Sequence, residues 1–409
     1  MRNRPALRGP VFAILLTFFL LPAAARAGNV TVGCPGGSGG TYTSITDALN
    51  AVGQTGPSTI IVTGTCTESV SISDALSITI FAATPGGATI AGGATIVGPQ
   101  DNDAFDIFRS KGINLQNLEI SGVPGSTVGG GGAGVFISQA SDVHIVRCNI
   151  HNNENAGIDA DTGSVVVIRG TTIQNNTPND GLDVFDNSTA VVRGSTIQDN
   201  GDPGVGSAGV FVGRNSVVVF RQDARFGQSN LVQNNANIGI QARNLSNVLL
   251  ATGVTTIQGH LTNGIILQEG SHLQVNGPSQ HLIQGNGSAC PHDATCGGIF
   301  ATQDSTVDLT TGIITGNQGS GVSVQQGSNV QLDGTTISNN SGDGVHLQWI
   351  SIGSFLSGIT ITGNGGASIS CDRTSLALGD LSAFSKLRCE DVDKPNGQRH
   401  SKEGKNSRE

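Results

Sequence analysis

Apolar and polar positions alternate in short bursts along this chain, and the bursts recur. A Gly followed by an apolar–variable–apolar triplet appears at Gly134, Gly157, Gly181, Gly209, Gly239, Gly264, Gly298, Gly321 and Gly344, in steps of 23, 24, 28, 30, 25, 34, 23 and 23 residues. Each unit then carries a second alternating run, as at 165–168, 217–220 and 330–332. A third short run follows, such as Thr172 with Ile173, Thr196 with Ile197 or Thr336 with Ile337. The unit closes on Asn: Asn153, Asn176, Asn200, Asn235, Asn286, Asn317 and Asn340. Alternation with a period of two predicts strands, and self-similarity at a near-constant spacing predicts stacked repeats.

Three short strands per unit exclude a helical repeat. The shortest step of 23 residues also exceeds the roughly 18-residue coil of a left-handed hexapeptide solenoid, and leucine-rich units would need more Leu and a helical stretch. What remains is an all-β solenoid: one unit makes one coil, and its three strands join three parallel sheets. Every inward position then stacks on its own kind about 4.8 Å away. Val and Ile suit such a pleated interior, and Asn repeated at one turn predicts a ladder of amides. Longer steps are loops inserted near 201–207, 223–230 and 287–297.

Composition agrees with a narrow, turn-rich rod. Gly occurs 60 times, aromatic residues are 4% and charged residues 12% of the 409, which excludes a charge-driven disordered chain, a coiled coil and collagen. Residues 1–27 contain Arg2, Arg4, Arg8, Arg26 and no acid. Their apolar run at 11–21 and the Ala25-Arg26-Ala27 pattern before Gly28 predict a signal peptide, too short to span a bilayer. Without it, 17 basic residues face 30 acidic ones, a formal charge of −13. That balance excludes nucleic acid as a partner. The expectation is a secreted protein, extracellular or periplasmic, monomeric and without a membrane span.

Seven cysteines fit an oxidising compartment. Pairing by proximity in sequence gives Cys34 with Cys66, Cys290 with Cys296 and Cys371 with Cys389, leaving Cys148 as a buried thiol. Cys290, His292, Asp293 and Cys296 offer a metal site as the alternative to a disulfide-closed loop, although their spacing matches no tetrahedral pattern.

Over residues 58–369 the coil pattern resembles the right-handed parallel β-helix repeat of pectate-lyase-like proteins. The stretch 40–52 is similar to the opening segment of pectinesterases, where an amphipathic helix closes the first coil. Here Ile45, Ala48, Leu49 and Val52 would form its apolar stripe, with Thr43 or Ser44 as N-cap. The resulting plan is a signal peptide at 1–27, an N-terminal helical cap at 28–57, a right-handed parallel β-helix at 58–370, a C-terminal cap at 371–390 and a disordered tail at 391–409.

The residue two after each register Gly should face outward. This gives a stripe of Phe136, Asp159, Asp183, Phe211, Gln241, Ile266, Phe300, Ser323 and His346. Asp159 and Asp183 fall on adjacent coils, with Asp161, Asp180 and Asp186 at nearby turns. Like charges this close raise a pKa or invite a cation such as Ca²⁺. Asp159, Asp183 and Asp180 are the catalytic candidates, Asp159 and Asp183 the candidate Ca²⁺ ligands, and Phe136, Phe211, Gln241 and Phe300 the candidate substrate platforms. The bland alternative is that these Asp residues solvate the surface or cap turns. Arg169, Arg193 and Arg243 are candidates to face an anionic sugar, and His346 reads as structural.

Residues 176–183 resemble the polygalacturonase stretch around its first catalytic aspartate, which maps to Asp180. That family's following Asp-Asp pair, Gly-His-Gly and Arg-x-Lys do not follow, and the arginines of pectate lyase and pectinesterase have no counterpart beside Asp159 and Asp183. Fold therefore transfers and a known active site does not. Three functions stand, in this order: binding of a polysaccharide or surface glycan along the exposed sheet; a polysaccharide lyase, hydrolase or epimerase with a divergent acidic site; and a structural or adhesive surface rod.

Overall fold

The computed structural model describes residues 28–83, 88–91, 103–123, 132–225, 227–277, 279–290 and 293–389. The expected leader, the tail beyond 390 and His292 lie outside them. The chain winds into a right-handed β-helix of three parallel sheets. One coil shows the plan: Ile158–Ala160 lies in the third sheet, Val165–Arg169 in the first and Thr172–Gln174 in the second, and Leu182–Val184 then re-enters the third sheet beside Ile158–Ala160. The second coil repeats this with Thr189–Arg193 and Thr196–Gln198, paired residue for residue with the strands before them.

Burial alternates along these strands as the sequence pattern requires. In Thr189–Arg193 the side chains of Ala190 and Val192 are buried while their neighbours are half-exposed. Ile158, Ile168, Ile173, Leu182 and Val184 are fully buried in one continuous core. Each such side chain contributes roughly 1.5–3 kcal/mol, so stability is distributed along the rod and depends on neighbouring coils.

Two close approaches explain the repeat's fixed residues. A Cβ on Gly157 would lie 2.5 Å from Ile173 Cγ2, 2.7 Å from the Asn176 amide nitrogen and 2.7 Å from the Gly181 carbonyl oxygen. The register Gly is thus the place where the strand meets the Asn ladder. In that ladder Asn153 Nδ2 donates to Asn176 Oδ1 at 2.8 Å, Asn176 to Asn200 at 2.9 Å and Asn200 to Asn235 at 3.0 Å. It resumes from Asn286 through Asn317 and Asn340 to Asn364. His260 fills the gap, accepting from Asn235 N at 3.1 Å through Nδ1.

Two more ladders occupy the other corners. Ser110, Ser141, Ser164, Ser188, Ser216, Ser246 and Ser271 each present Oγ to the backbone N–H of the ladder residue one coil earlier or, for Ser110, of Ala75. At the third corner Thr171, Ser195 and Asn230 do the same, and His281 Nδ1 accepts from Thr255 N. Cys148, the free buried thiol, stands at the head of this column. Most of the polar side chains in these columns are thereby paired, while Thr255 Oγ1 and His281 Nε2 have no partner.

Near the N-terminal end of the described residues an α-helix, Ile45–Val52, packs Ile45, Ala48 and Leu49 into the core. Ser44 caps it by accepting from Asp47 N, and the Glu68 carboxylate accepts from Ile45 N at 2.7 Å and Thr46 N at 3.0 Å, where the helix dipole favours negative charge. Asn29–Gly33 precedes the helix and pairs with the following long strand, while Leu376–Gly379 and Leu387–Cys389 add rungs at the far end. Disulfides join Cys34 to Cys66, Cys290 to Cys296 and Cys371 to Cys389. The sulfurs of Cys290 and Cys296 are therefore not metal ligands. Three disulfides fit an extracytoplasmic compartment. Among the described residues no helix is long and apolar enough to cross a membrane.

Candidate functional site

The third sheet carries the outward stripe, and its pairing fixes which side chains meet. Phe136 stands opposite Asp159, Asp159 opposite Asp183, Asp183 opposite Phe211 and Phe211 opposite Gln241. The rungs continue through Ile266, Phe300 and Ser323 to His346. Asp159 and Asp183 therefore share one sheet, one face and adjacent rungs about 4.8 Å apart.

The stripe is not uniformly open. Phe136, Asp159, Gln241 and Phe300 are half-buried, whereas Asp183 is only 8% and Phe211 5% exposed. The expected open platform at Phe211 is corrected accordingly: Phe185 stacks on its ring with centroids 4.9 Å apart, and the Arg243 guanidinium lies 4.5 Å from its centroid. Phe136 is braced edge-on by Phe108 at 5.8 Å. The Gln241 amide donates to Gln268 at 3.0 Å.

Burial dominates the electrostatics. It pushes the Asp159 carboxyl up to about 7, helped by the negative charges of Asp161, Asp103 and Asp180. Asp183 is raised well above the ordinary carboxylate range by burial and then by Asp180 and Asp159. Asp180 is also raised by burial, against the lowering effect of its hydrogen bond with Asp183, the Ala208 N–H and the charge of Arg243. Asp159 and Asp183 each keep a buried Oδ1 without a hydrogen-bond partner. Asp159 and Asp183 are thus carboxyls that burial biases toward their protonated forms, side by side on adjacent rungs.

Calcium needs six or more oxygen ligands around one point. Among the described residues, the one group of three His, Cys, Asp or Glu donors lying within 4.8 Å of one another is Cys34, Cys66 and Glu68, whose sulfurs are in a disulfide. Asp159, Asp180 and Asp183 are not gathered that tightly.

The three arginines divide. Arg243 belongs to the site. Arg169 ends a first-sheet strand and its guanidinium pairs at 3.1 Å with Asp223, a fully buried carboxylate in the 223–230 loop, so it anchors the loop instead of facing a ligand. Arg193 occupies the equivalent position one coil on, also in the first sheet.

Sequence reasoning missed two acids. Asp106 falls in the same stripe, opposite Phe136, and Asp103 accepts from the N–H groups of Gly132 at 3.0 Å and Ala133 at 2.6 Å. The alternation of residues 104–108 signals that coil, but it lacks the leading Gly used to set the register.

Residues 58–224 and 291–380 match the family described as "Right handed beta helix region". Solved structures with a similar shape include the A-module of the mannuronan C-5 epimerase AlgE6 of Azotobacter vinelandii, at 16% identity and TM-score 0.46, covering 77% of this chain and 92% of that one. The pectate lyase Pel9A matches at 13% identity and TM-score 0.40, over 85% of this chain and 80% of that one. PfbA, a surface adhesin of Streptococcus pneumoniae, matches at 12% identity and TM-score 0.48, over 80% and 87%. No curated protein matches the sequence. At these identities the likeness is one of fold, shared by carbohydrate-active enzymes and an adhesin alike.

Proposed function

This chain belongs to the right-handed β-helix family, and on that premise we propose that it is a secreted protein that binds a polysaccharide or surface glycan along the outer face of its third sheet. The observation that carries the reading is the placement of Asp159 beside Asp183 on adjacent outer rungs, between Phe136 and Phe211. Asp159 and Phe136 are both half-exposed, so a hydroxyl-rich chain laid along the rungs would meet a carboxyl to bond and a ring to stack on. Phe136 flanks the pair, and Arg243 beside Phe211 gives the far wall a positive charge.

A second reading rests on one further observation. A carboxyl raised to about 7, as at Asp159, is poised to give or take a proton at neutral pH, with Asp183 and Asp180 sharing charge beside it. That favours a polysaccharide lyase, hydrolase or epimerase over a passive rod.

A glycan array combined with a depolymerisation screen tests both, run with and without Ca²⁺ on wild-type protein, Asp183→Asn and Asp159→Asn. Glycan binding weakened by either substitution supports the first reading. Unsaturated or reducing ends that vanish in Asp183→Asn add the second. A wild-type protein that binds no acidic or neutral glycan removes both and leaves the structural rod.

A further inference from the structure

The last two rungs of the first sheet expose apolar side chains where the rungs before them expose polar ones. One outward row runs from Thr306 and Asn329 to Ile352 and Leu376, and its neighbour from Asp308 and Gln331 through Ser354 to Leu378. The turn into this sheet changes in the same way. In two preceding coils it holds Gln303 with Asp304 and Gln326 with Gly327, all at positive φ, and the equivalent pair is Trp349 at +53° and Ile350 at +66°. A bulky indole and a β-branched side chain are both strained in that left-handed region.

The strained turn carries its side chains into solvent. Trp349, the only tryptophan of the chain, is 53% exposed and Ile350 71%, with Ile352, Leu376 and Leu378 exposed on the adjoining rungs. The next coil holds the turn in place: Trp349 N donates to the Asp372 carboxylate at 2.8 Å and Ile350 N to Thr374 Oγ1 at 3.0 Å. Exposed apolar surface with an indole at its tip marks an interface. The rung beside it is also unfinished. Leu376–Gly379 pairs, among the described residues, only with Ile352–Phe355, which leaves a free strand edge. Its inward residue, Ala377, is only half-buried, whereas Val307 and Val330 at the same position are buried.

Charge decides what can cover this patch. Residues 28–343 hold 9 basic and 23 acidic residues, a formal −14, whereas residues 344–389 hold 3 and 2, a formal +1. Two copies therefore repel one another along the body of the rod and can meet without that repulsion at this end. Residues 390–409 continue from here, but Val392 is their only large apolar side chain, too little to cover five. We infer that this end of the rod is a self-association surface. A second copy docks on Trp349, Ile350, Ile352, Leu376 and Leu378 about a two-fold axis, so that the two acidic bodies point away from each other. This dimer departs from the monomer expected of the sequence, and it does not depend on the glycan reading.

Sedimentation equilibrium over a concentration series, with the emission of the lone tryptophan followed in parallel, tests this. As concentration rises the mass should approach twice that of one chain, and the emission should move to shorter wavelength as the indole is covered. Ile350→Asn and Leu376→Lys should each weaken association at least tenfold. Ile350→Asn should not lower the melting temperature of the single chain, because Asn tolerates positive φ better than Ile; its loss of association is then not a loss of fold. Asp183→Asn, in the acidic site, should associate as the wild type does. A wild-type protein that keeps the mass of one chain at about 0.1 mM overturns the inference. So does emission that shifts only when phosphatidylcholine vesicles or neutral oligosaccharides are added, which would assign the patch to lipid or sugar. Ile350→Asn and Leu376→Lys dimers as tight as wild type would place the contact elsewhere and overturn it too.

Discussion

The inside of the rod and the outer face of its third sheet both bury polar side chains, and they treat them oppositely. Inside, Asn176, Asn200 and Asn235 are at most 1% exposed and each is bonded to its neighbours above and below. Outside, Asp183 at 8% and Ser323 at 1% are nearly as buried, yet each keeps an atom with no partner. A stacked solenoid satisfies a repeated interior amide automatically, because the next coil brings an identical group. It gives no such help to an outward residue whose neighbours differ, such as Asp183 between Asp159 and Phe211. Repetition pairs the amides that build the rod, and the interior exceptions at Thr255 Oγ1 and His281 Nε2 fall where a column changes residue type.

The largest effect that tests this contrast is a pair of substitutions one residue apart. Ile240 is fully buried and Gln241 half-exposed on the same strand. Ile240→Asp places a charge in the core and should cost more than about 4 kcal/mol, seen as loss of soluble, cooperatively melting protein. Gln241→Asp should stay within about 1 kcal/mol by thermal denaturation. Equal tolerance of both would mean that the two faces are reversed. Next in size is Asn200→Ala, which strips Asn176 and Asn235 of a shared partner. It should lower stability by about 3 kcal/mol, read by denaturant titration.

The two regions should also respond to pH with opposite sign. Burial lowers the His260 pKa to about 4 from 6.5, so the unfolded chain binds the extra proton between those values. Stability from this residue is intact above pH 6.5 and is lost as pH falls toward 4, by about 3 kcal/mol in all. His260→Asn, which restores the ladder's usual residue, should flatten that limb of the curve. Asp159 has the reverse linkage: its folded pKa is raised to about 7 from 3.8, so the folded state holds the proton and stability drains as pH rises between those values. Melting curves in which neither His260→Asn nor Asp159→Asn changes the pH profile would break the comparison.

The fold was legible because a solenoid writes its geometry into the sequence at a fixed period. The register Gly, the apolar alternation and the Asn column each recur with every coil, and the three cysteine pairs lie close along the chain. The Ser column was harder to see, since its members sit in turns that carry no other signature, and His260 escaped because the ladder was sought as Asn alone. The site was legible only as alignment. Counting from each Gly put Asp159 beside Asp183, but nothing in the count could show that Phe185 and Arg243 would cover Phe211 or that Asp223 would draw Arg169 away. Those contacts come from turns and inserted loops, where the repeat, and with it the prediction, lapses.

A stability gain is expected where the functional loss should be greatest. Asp183→Asn keeps size and shape while removing an ionisable group from a buried position flanked by Asp159 and Asp180. The native carboxyl is held in its protonated form at a free-energy cost that grows as pH rises through its raised pKa, whereas an amide has no such cost. The variant should therefore melt higher than wild type at pH 8 and the same at acid pH, where both side chains are neutral. Its glycan binding should nonetheless fall, because the amide nitrogen replaces one of the carboxyl's two oxygens. A substitution at a ladder position does the reverse: Asn200→Ala weakens the rod and leaves any surviving folded protein able to bind. If Asp183→Asn instead destabilises the protein at every pH and binds glycan as the wild type does, Asp183 is one more structural residue and the outer face teaches nothing that the interior does not.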